Sequence, residues 1–385
     1  MPFSFFNNSF RIALALFVVF TPVFYYFSTI HHLDMYGHCL HIQAFVETGI
    51  WRPNVGYYLL VWALAFFSTD FFILQLSTGF VLAFFVAWKF WLSTKLLVAE
   101  LGKEKKALLN FTMLLLAFVF SLPVWYNNWY FGQIPPNHWH NSTTIMLFPF
   151  ALLLFWESYH FLENPEPSML PFLVLLTLLN VLVKPSFFFC VAMVYPLFLL
   201  SSFRFKRAFW LGLVPVVVGI LGVGIQYYFL YASGPEAAEL LSGEGGGVKI
   251  APFHIWNYYS KNILLSILFS FPLPLFFFVL YRKKLRQERL FFYALALLGA
   301  AVFIFAFFSE TGRREYHSNF IWQAIVASYV LHWVCVLLFF KWRLLSLGFK
   351  GLDKPEKALV YLYVFQAFIG VLYVIRMLLK HGSYA

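Results

Sequence analysis

The chain has 385 residues, 62% of them hydrophobic and 11% charged, with a net charge of +11. A soluble domain carries about 25% charged and 45–50% apolar residues, so a water-soluble globular fold is excluded, and with it the nucleic-acid binding that such a charge would suggest in a soluble protein. A spanning helix takes about 20 apolar residues, and at that rate the spans use up residues 1–385 as one transmembrane domain with no separate soluble module.

In chain order, Arg11 is followed by an apolar run to Ile30 with no small-residue cleavage site after it, which reads as a retained first helix. Further spans are expected at 71–93, 107–125, 144–161, 169–183, 186–202, 208–230, 263–281, 290–308, 319–340 and 358–378. The expected fold is an all-α integral membrane bundle of about 10–11 transmembrane helices. The stretch from Val55 to Phe67 is apolar but short, follows Arg52-Pro53-Asn54 and precedes Ser68-Thr69-Asp70. It reads as a juxtamembrane or half-inserted helix within a first external loop, 31–70. A longer external loop, 231–262, contains Gly243 and Gly245–Gly247.

Charge tests this topology. With 55–67 left out of the membrane and the N-terminus inside, nineteen Lys and Arg fall on the inner side, Lys89 counted among them, and six on the outer side. Cytoplasmic loops concentrate Lys and Arg, whereas treating 55–67 as a span would put most basic loops outside. The last apolar segment would carry Arg376 and Lys380 to the outer side, which leaves a re-entrant hairpin open there. Cys39, Cys190 and Cys335 have no metal or redox spacing.

The polar sequence gathers on the outer side. In the first loop His31, Asp34, His38 and His41 are spaced +3, +4 and +3, one face of a helix, with Glu47 beyond. Three imidazoles and a carboxylate at a membrane surface face water, a substrate or a metal. The carboxylate can serve as a general base, the histidines can bind zinc, and the bland reading is a solvated face. The second loop, Trp125 to Asn141, mixes amides, rings and imidazoles, with Asn137, His138, His140 and Asn141 at its end. That mixture suits carbohydrate, amides meeting hydroxyls and rings meeting the apolar sugar faces; an interfacial aromatic belt has a similar composition. Asn141-Ser142-Thr143 also matches a glycosylation acceptor. Lys184-Pro185-Ser186 sets a lysine between two apolar runs, where it must snorkel or meet an anion. Glu310 to Asn319 carries Arg313, Arg314 and His317 on the side opposite the basic loops. Arginine suits phosphate; a local Glu–Arg network is the alternative. No Gly-rich phosphate loop, G-x-S-x-G or H-E-x-x-H is present, so ATP-driven and serine-hydrolase chemistry have no support.

Over about residues 1–230 the pattern resembles the GT-C class of polytopic, lipid-dependent glycosyltransferases. Asp34 sits where that class has an acidic residue after its first helix. Arg52-Pro53-Asn54-Val55-Gly56-Tyr57-Tyr58-Leu59-Leu60 looks like its Pro-led segment, and Lys184-Pro185-Ser186 is similar to its Lys-Pro element. The second loop departs from the class in carrying Asn137, His138, His140 and Asn141 in place of an acid.

The resemblance implies inverting transfer of a sugar from a polyprenyl-phosphate donor to a glycan, lipid or protein acceptor at the outer face of a membrane. Asp34 would be the general base, and Lys184, Arg313 and Arg314 would hold the lipid phosphate. His31, His38, His41, Glu47, Asn137, His138, His140 and Asn141 would bind sugar, with Glu310 and His317 nearby. No resident cofactor is implied, although a divalent metal stays open. The compact loops suggest a bacterial inner membrane with a periplasmic active face, and the remaining partners are membrane lipids. Competing readings are a transporter or flippase for a lipid-linked sugar, an acyltransferase, and a non-catalytic subunit of an envelope glycan assembly complex.

Overall fold

The computed structural model describes residues 8–49, 54–124, 130–231 and 247–380. Arg52 and Pro53, the Trp125–Trp129 part of the second loop and residues 232–246 of the longer loop lie outside these. The helices are α1 (Ser9–Ser28), α2 (Asp34–Thr48), α3 (Val55–Leu64), α4 (Phe71–Leu101), α5 (Lys106–Leu116), α6 (Ser142–Glu163), α7 (Leu170–Val183), α8 (Ser186–Phe203) and α9 (Arg207–Tyr231). Then follow β1 (Val248–Ile250), α10 (His254–Tyr259), α11 (Ile263–Ser270), α12 (Pro272–Leu285), α13 (Arg289–Phe307), β2 (Phe308–Glu310), α14 (Trp322–Phe339) and α15 (Lys354–Leu379). The two strands pair antiparallel, Val248 opposite Glu310.

Among the described residues eight helices are long and apolar enough to cross a membrane, and α11 with α12, bent by 74°, forms an apolar pair of the length of a broken span or a re-entrant hairpin. The protein is an integral, multi-pass membrane protein. Its outward faces carry rows that water would not tolerate, such as Phe10, Leu14 and Val18 on α1 and Val217, Leu221 and Ile225 on α9, each at least half exposed. The innermost helix is α14, buried from Gln323 to Phe339. Around it lie α4, α6, α8, α12 and α13.

Two expected spans are not full helices. Within 107–125 the helix α5 stops at Leu116, and residues 118–124 run on without a helix. Their backbone is satisfied from distant elements instead: Phe120 N–H donates to the Gln366 carbonyl and Leu122 N–H to the Phe269 carbonyl. This strip lies so close to α15 that a Cβ on Gly370 would overlap the Phe118 carbonyl. The second is α7, with 14 residues. The bend between α11 and α12 falls at Phe271-Pro272, where proline removes a helical donor and biases the preceding residue away from helix.

Other expectations hold. Residues 55–64 form a short helix that ends in Phe66 and Phe67, both exposed and at positive φ. The last segment is not re-entrant. α15 runs 26 residues, about 39 Å at 1.5 Å per residue, from a capping box of Asp353 and Glu356 to Lys380.

The ends of the helices sort by charge. At one end Lys105 Nζ donates to the Leu344 carbonyl, 3.1 Å, and Arg343 pairs with Glu356. There too Arg289 reaches the Leu162 carbonyl and Glu163. The basic loops therefore meet at a single end of the bundle. Lys89 does not belong with them: it lies 3% exposed inside α4, which removes one residue from the inner count and leaves the bias intact.

Candidate functional site

At the end opposite the basic loops the described residues enclose a cavity of about 500 Å³. Small-ligand sites usually occupy about 300–1,000 Å³. Its wall comes from five distant parts of the chain: His32 and Asp34; Tyr130, Gln133, His138, His140 and Asn141; Tyr259; Tyr316, His317, Asn319 and Trp322; and Tyr373.

Asp34 opens α2 and is held by one oxygen. Oδ2 accepts from the Ser142 N–H at 3.0 Å and from Asn141 Nδ2 at 3.4 Å, and His38 Nε2 lies 3.1 Å away. His38 is buried behind it, its Nδ1 2.8 Å from the Tyr58 hydroxyl. If Tyr58 donates to Nδ1, Nε2 carries the proton and donates to Asp34, the tautomer this network selects. Oδ1 has no partner among the described residues, and Asp34 is part of the cavity wall. Burial raises the Asp34 pKa, but His38, Lys184 and the Ser142 amide outweigh it and bring it to about 2.

Asn141 connects this carboxylate to Lys184. As N-cap of α6 its Oδ1 accepts from Thr144 N–H at 3.1 Å, an arrangement that satisfies a helix-end donor. The same Oδ1 accepts from Lys184 Nζ at 2.9 Å, while Nδ2 faces Asp34. Lys184 is placed by the chain itself: Pro185 disfavours helix at the preceding residue, and Lys184 is extended with φ −170° and ψ 113°. Its ammonium also donates to the Thr143 and Thr144 hydroxyls, both at 3.1 Å, and lies 4.6 Å from the Trp322 ring centre. Burial pushes its pKa down to about 7, against the pull of Asp34.

Three wall residues, Gln133, His138 and Ser318, have buried polar atoms with nothing to bind. Gln133 is 2% exposed with both amide atoms unpaired, and His138 is 7% exposed with Nε2 unpaired. A buried polar group without a partner costs about 1–3 kcal/mol, so these atoms await water or a ligand. Burial and Lys184 push the His138 pKa down to about 3, and burial and His138 lower His140 well below the usual imidazole value. The two imidazole rings lie 3.5 Å apart. His140 Nδ1 meets the Tyr373 hydroxyl at 3.3 Å. The Tyr130 phenol is raised by burial and lowered by Arg376, whose charge reaches this wall from the end of α15.

The residues expected from sequence divide accordingly. Asp34, His138, His140, Asn141 and His317 line the cavity, with His38 directly behind Asp34. Lys184 contributes charge from behind Asn141, with its three N–H groups already satisfied. Asn137 is displaced from the expected sugar site. Wholly buried, it accepts from Lys89 Nζ at 2.7 Å and donates to the Leu116 and Val119 carbonyls, stitching the end of α5. The expected histidine ridge breaks because α2 starts at Asp34: His31 lies in the turn before it, against Tyr36, and outside the cavity wall. His41 packs near His38 and Tyr58, and Glu47 is exposed; neither lines the cavity. Asn141, 7% exposed and fully engaged, is no glycosylation acceptor.

Glu310 accepts from the wall residue Asn319 at 2.6 Å. Arg314 lies in the 3-10 turn Gly312–His317 that leads into the wall; burial raises the Glu310 pKa, and the bond from Asn319 and the charge of Arg314 offset only part of that rise. The Arg313 side chain is outside the described residues. Among the described residues no three His, Cys, Asp or Glu side chains converge to hold a metal ion. Gln133 belongs to the amide-rich second loop, whereas His32, Trp322 and Tyr373 join the wall without any local signal in the sequence; only the packing of α14 and α15 against the outer loops gathers them. Comparison of the chain with protein-family models and with curated proteins finds no match.

Proposed function

We propose that this protein is an inverting glycosyltransferase of GT-C type that moves a sugar from a polyprenyl-phosphate donor to a hydroxyl acceptor within the cavity. The observation that carries the reading is the Asp34 carboxylate, fixed through Oδ2 by three donors while Oδ1 is left to a cavity lined with unpaired amide and imidazole atoms. Gln133 and His138 suit sugar hydroxyls. Tyr130, Tyr259, Tyr316, Trp322 and Tyr373 offer rings to sugar faces.

In the reaction the acceptor oxygen bonds to the anomeric carbon from the side opposite the phosphate. The carbon–phosphate-oxygen bond breaks, and its electron pair leaves with the lipid phosphate. The hydroxyl proton passes to Asp34 Oδ1. A carboxylate with a pKa of about 2 is a weak base. It suffices because the attacking hydroxyl becomes acidic only as its new bond forms, and the proton moves late. Arg314 and Arg376 near the cavity would stabilise the charge that grows on the leaving phosphate. Lys184 steadies the carboxylate from behind instead of touching the phosphate.

The positive-inside bias supports a periplasmic cavity in a bacterial inner membrane. The test is turnover: purified protein in vesicles is given polyprenyl-phosphate sugars and a panel of hydroxyl acceptors, and released polyprenyl phosphate is measured. Movement of the intact lipid-linked sugar between leaflets without its cleavage would favour a flippase.

A further inference from the structure

A second, wholly different concavity lies toward the basic end. It is a groove of about 270 Å³ among α5, α12, α14 and α15, with Phe111, Thr112, Phe277, Cys335, Phe340 and Val364 in its wall. The wall is almost entirely apolar, so nothing in it would orient a polar ligand. It is open sideways: Phe111 is 43% and Val364 44% exposed, on faces that meet acyl chains in a bilayer. Along α14 it reaches from Cys335 to Leu344, nine residues or about 13 Å. A five-residue π-helical turn, Phe340–Leu344, widens α14 where the groove ends.

Charge decides the occupant. Leu108, Leu344 and Phe349 form the lower edge of the groove. Lys106 lies two residues before Leu108, Lys350 directly after Phe349, and Lys105 donates to the Leu344 carbonyl. None of these three lysines has an acidic partner among the described residues. The acids closest in sequence are engaged elsewhere or point to water. Glu356 takes Arg343 and Tyr281, Asp353 caps α15, and Glu104 is exposed. An apolar slot ending in unpaired cations complements a lipid with an acyl tail and a negatively charged headgroup, and a zwitterionic lipid leaves the lysines uncompensated.

We infer that this groove is a binding site for an anionic phospholipid, with one acyl chain between α5 and α15 and its phosphate at Lys105, Lys106 and Lys350. The site does not depend on the proposed sugar transfer, since it lies at the opposite end of the bundle. The basic loops mark this end as cytoplasmic, the leaflet where anionic lipids reside.

The test is lipid retention by the purified full-length protein, delipidated in neutral detergent and titrated with phosphatidylglycerol or phosphatidylcholine of identical acyl chains, read by native mass spectrometry. Phosphatidylglycerol should be retained at about tenfold lower concentration, because each lysine near an anionic headgroup contributes several-fold. Lys106→Gln combined with Lys350→Gln, two side chains with no structural bonds, should bring phosphatidylglycerol most of the way to the phosphatidylcholine level, Lys105 keeping the remainder. Val364→Trp, at a lipid-exposed position that tolerates bulk, should plug the slot and abolish retention of both. Unchanged circular dichroism checks that each variant folds. Equal retention of the two lipids, or phosphatidylglycerol retention that survives Val364→Trp, overturns the assignment. So does displacement of phosphatidylglycerol by a lower concentration of polyprenyl phosphate, which would give the groove to a donor tail.

Discussion

Replacing Asn141 tests the link between the carboxylate and the ammonium. Asn141→Ala removes the α6 cap, a loss of about 1 kcal/mol. It also leaves Lys184 with two of its three oxygen acceptors, Thr143 and Thr144. A hydrogen bond to a charged group is worth about 1.5–3 kcal/mol, so the total is about 2.5–4 kcal/mol. Asn141→Ser keeps an oxygen that can cap the helix but is too short to reach Lys184, so it should recover about 1 kcal/mol relative to alanine. Unfolding in SDS, followed by far-UV circular dichroism at pH 7, gives both differences. If alanine lies within about 0.5 kcal/mol of wild type, or serine and alanine coincide, Asn141 is not the bridge described here.

Three further outcomes follow from the same geometry. Asn137→Leu leaves Lys89 without a hydrogen-bond acceptor and the Leu116 and Val119 carbonyls without a donor, and should cost about 3–5 kcal/mol; adding Lys89→Met should restore only the lysine's share, about 1–3 kcal/mol, and additive losses in that double-mutant cycle would contradict the pairing. His138 is neutral in the fold, with its pKa lowered to about 3. Its contribution is therefore intact above the unfolded value near 6.5 and is lost as pH falls toward 3, about 2 kcal/mol by pH 5 at 1.36 kcal/mol per unit. Hydrogen-exchange protection factors in 130–141, taken relative to the slower intrinsic exchange at low pH, should fall between pH 7 and 5, a dependence His138→Asn should flatten. Gly370→Ala should destabilise by about 2 kcal/mol or more, although alanine in an open helix position would stabilise by about 1 kcal/mol, because its Cβ would strike the Phe118 carbonyl; a stabilised variant would mean that 118–124 does not dock on α15.

Apolar length and basic loops were enough to read the membrane bundle, its charge sorting and the short helix at Val55. The sequence signal fails where partners are remote. Residues 107–125 look like a span because hydropathy cannot register that Gln366 and Phe269, far along the chain, supply the hydrogen bonds of an extended strip. Lys89 looks like a loop lysine because nothing near it in sequence announces Asn137, 48 residues away. Asp34 was legible from its position after the first helix. The histidine ridge depended on a helix boundary, and starting α2 at Asp34 removes His31. Asn141 was found for its amide, yet its role as bridge exists only once α6, α2 and the Lys184 break are folded together.

The central claim is tested most directly by Asp34→Asn, assayed for polyprenyl-phosphate release in vesicles beside wild type. The amide can still accept from Ser142 and Asn141 but cannot take a proton. The account predicts that wild type turns over and the variant falls by about 10²–10⁴, the usual contribution of a general base. A folded variant that retains full turnover would contradict it.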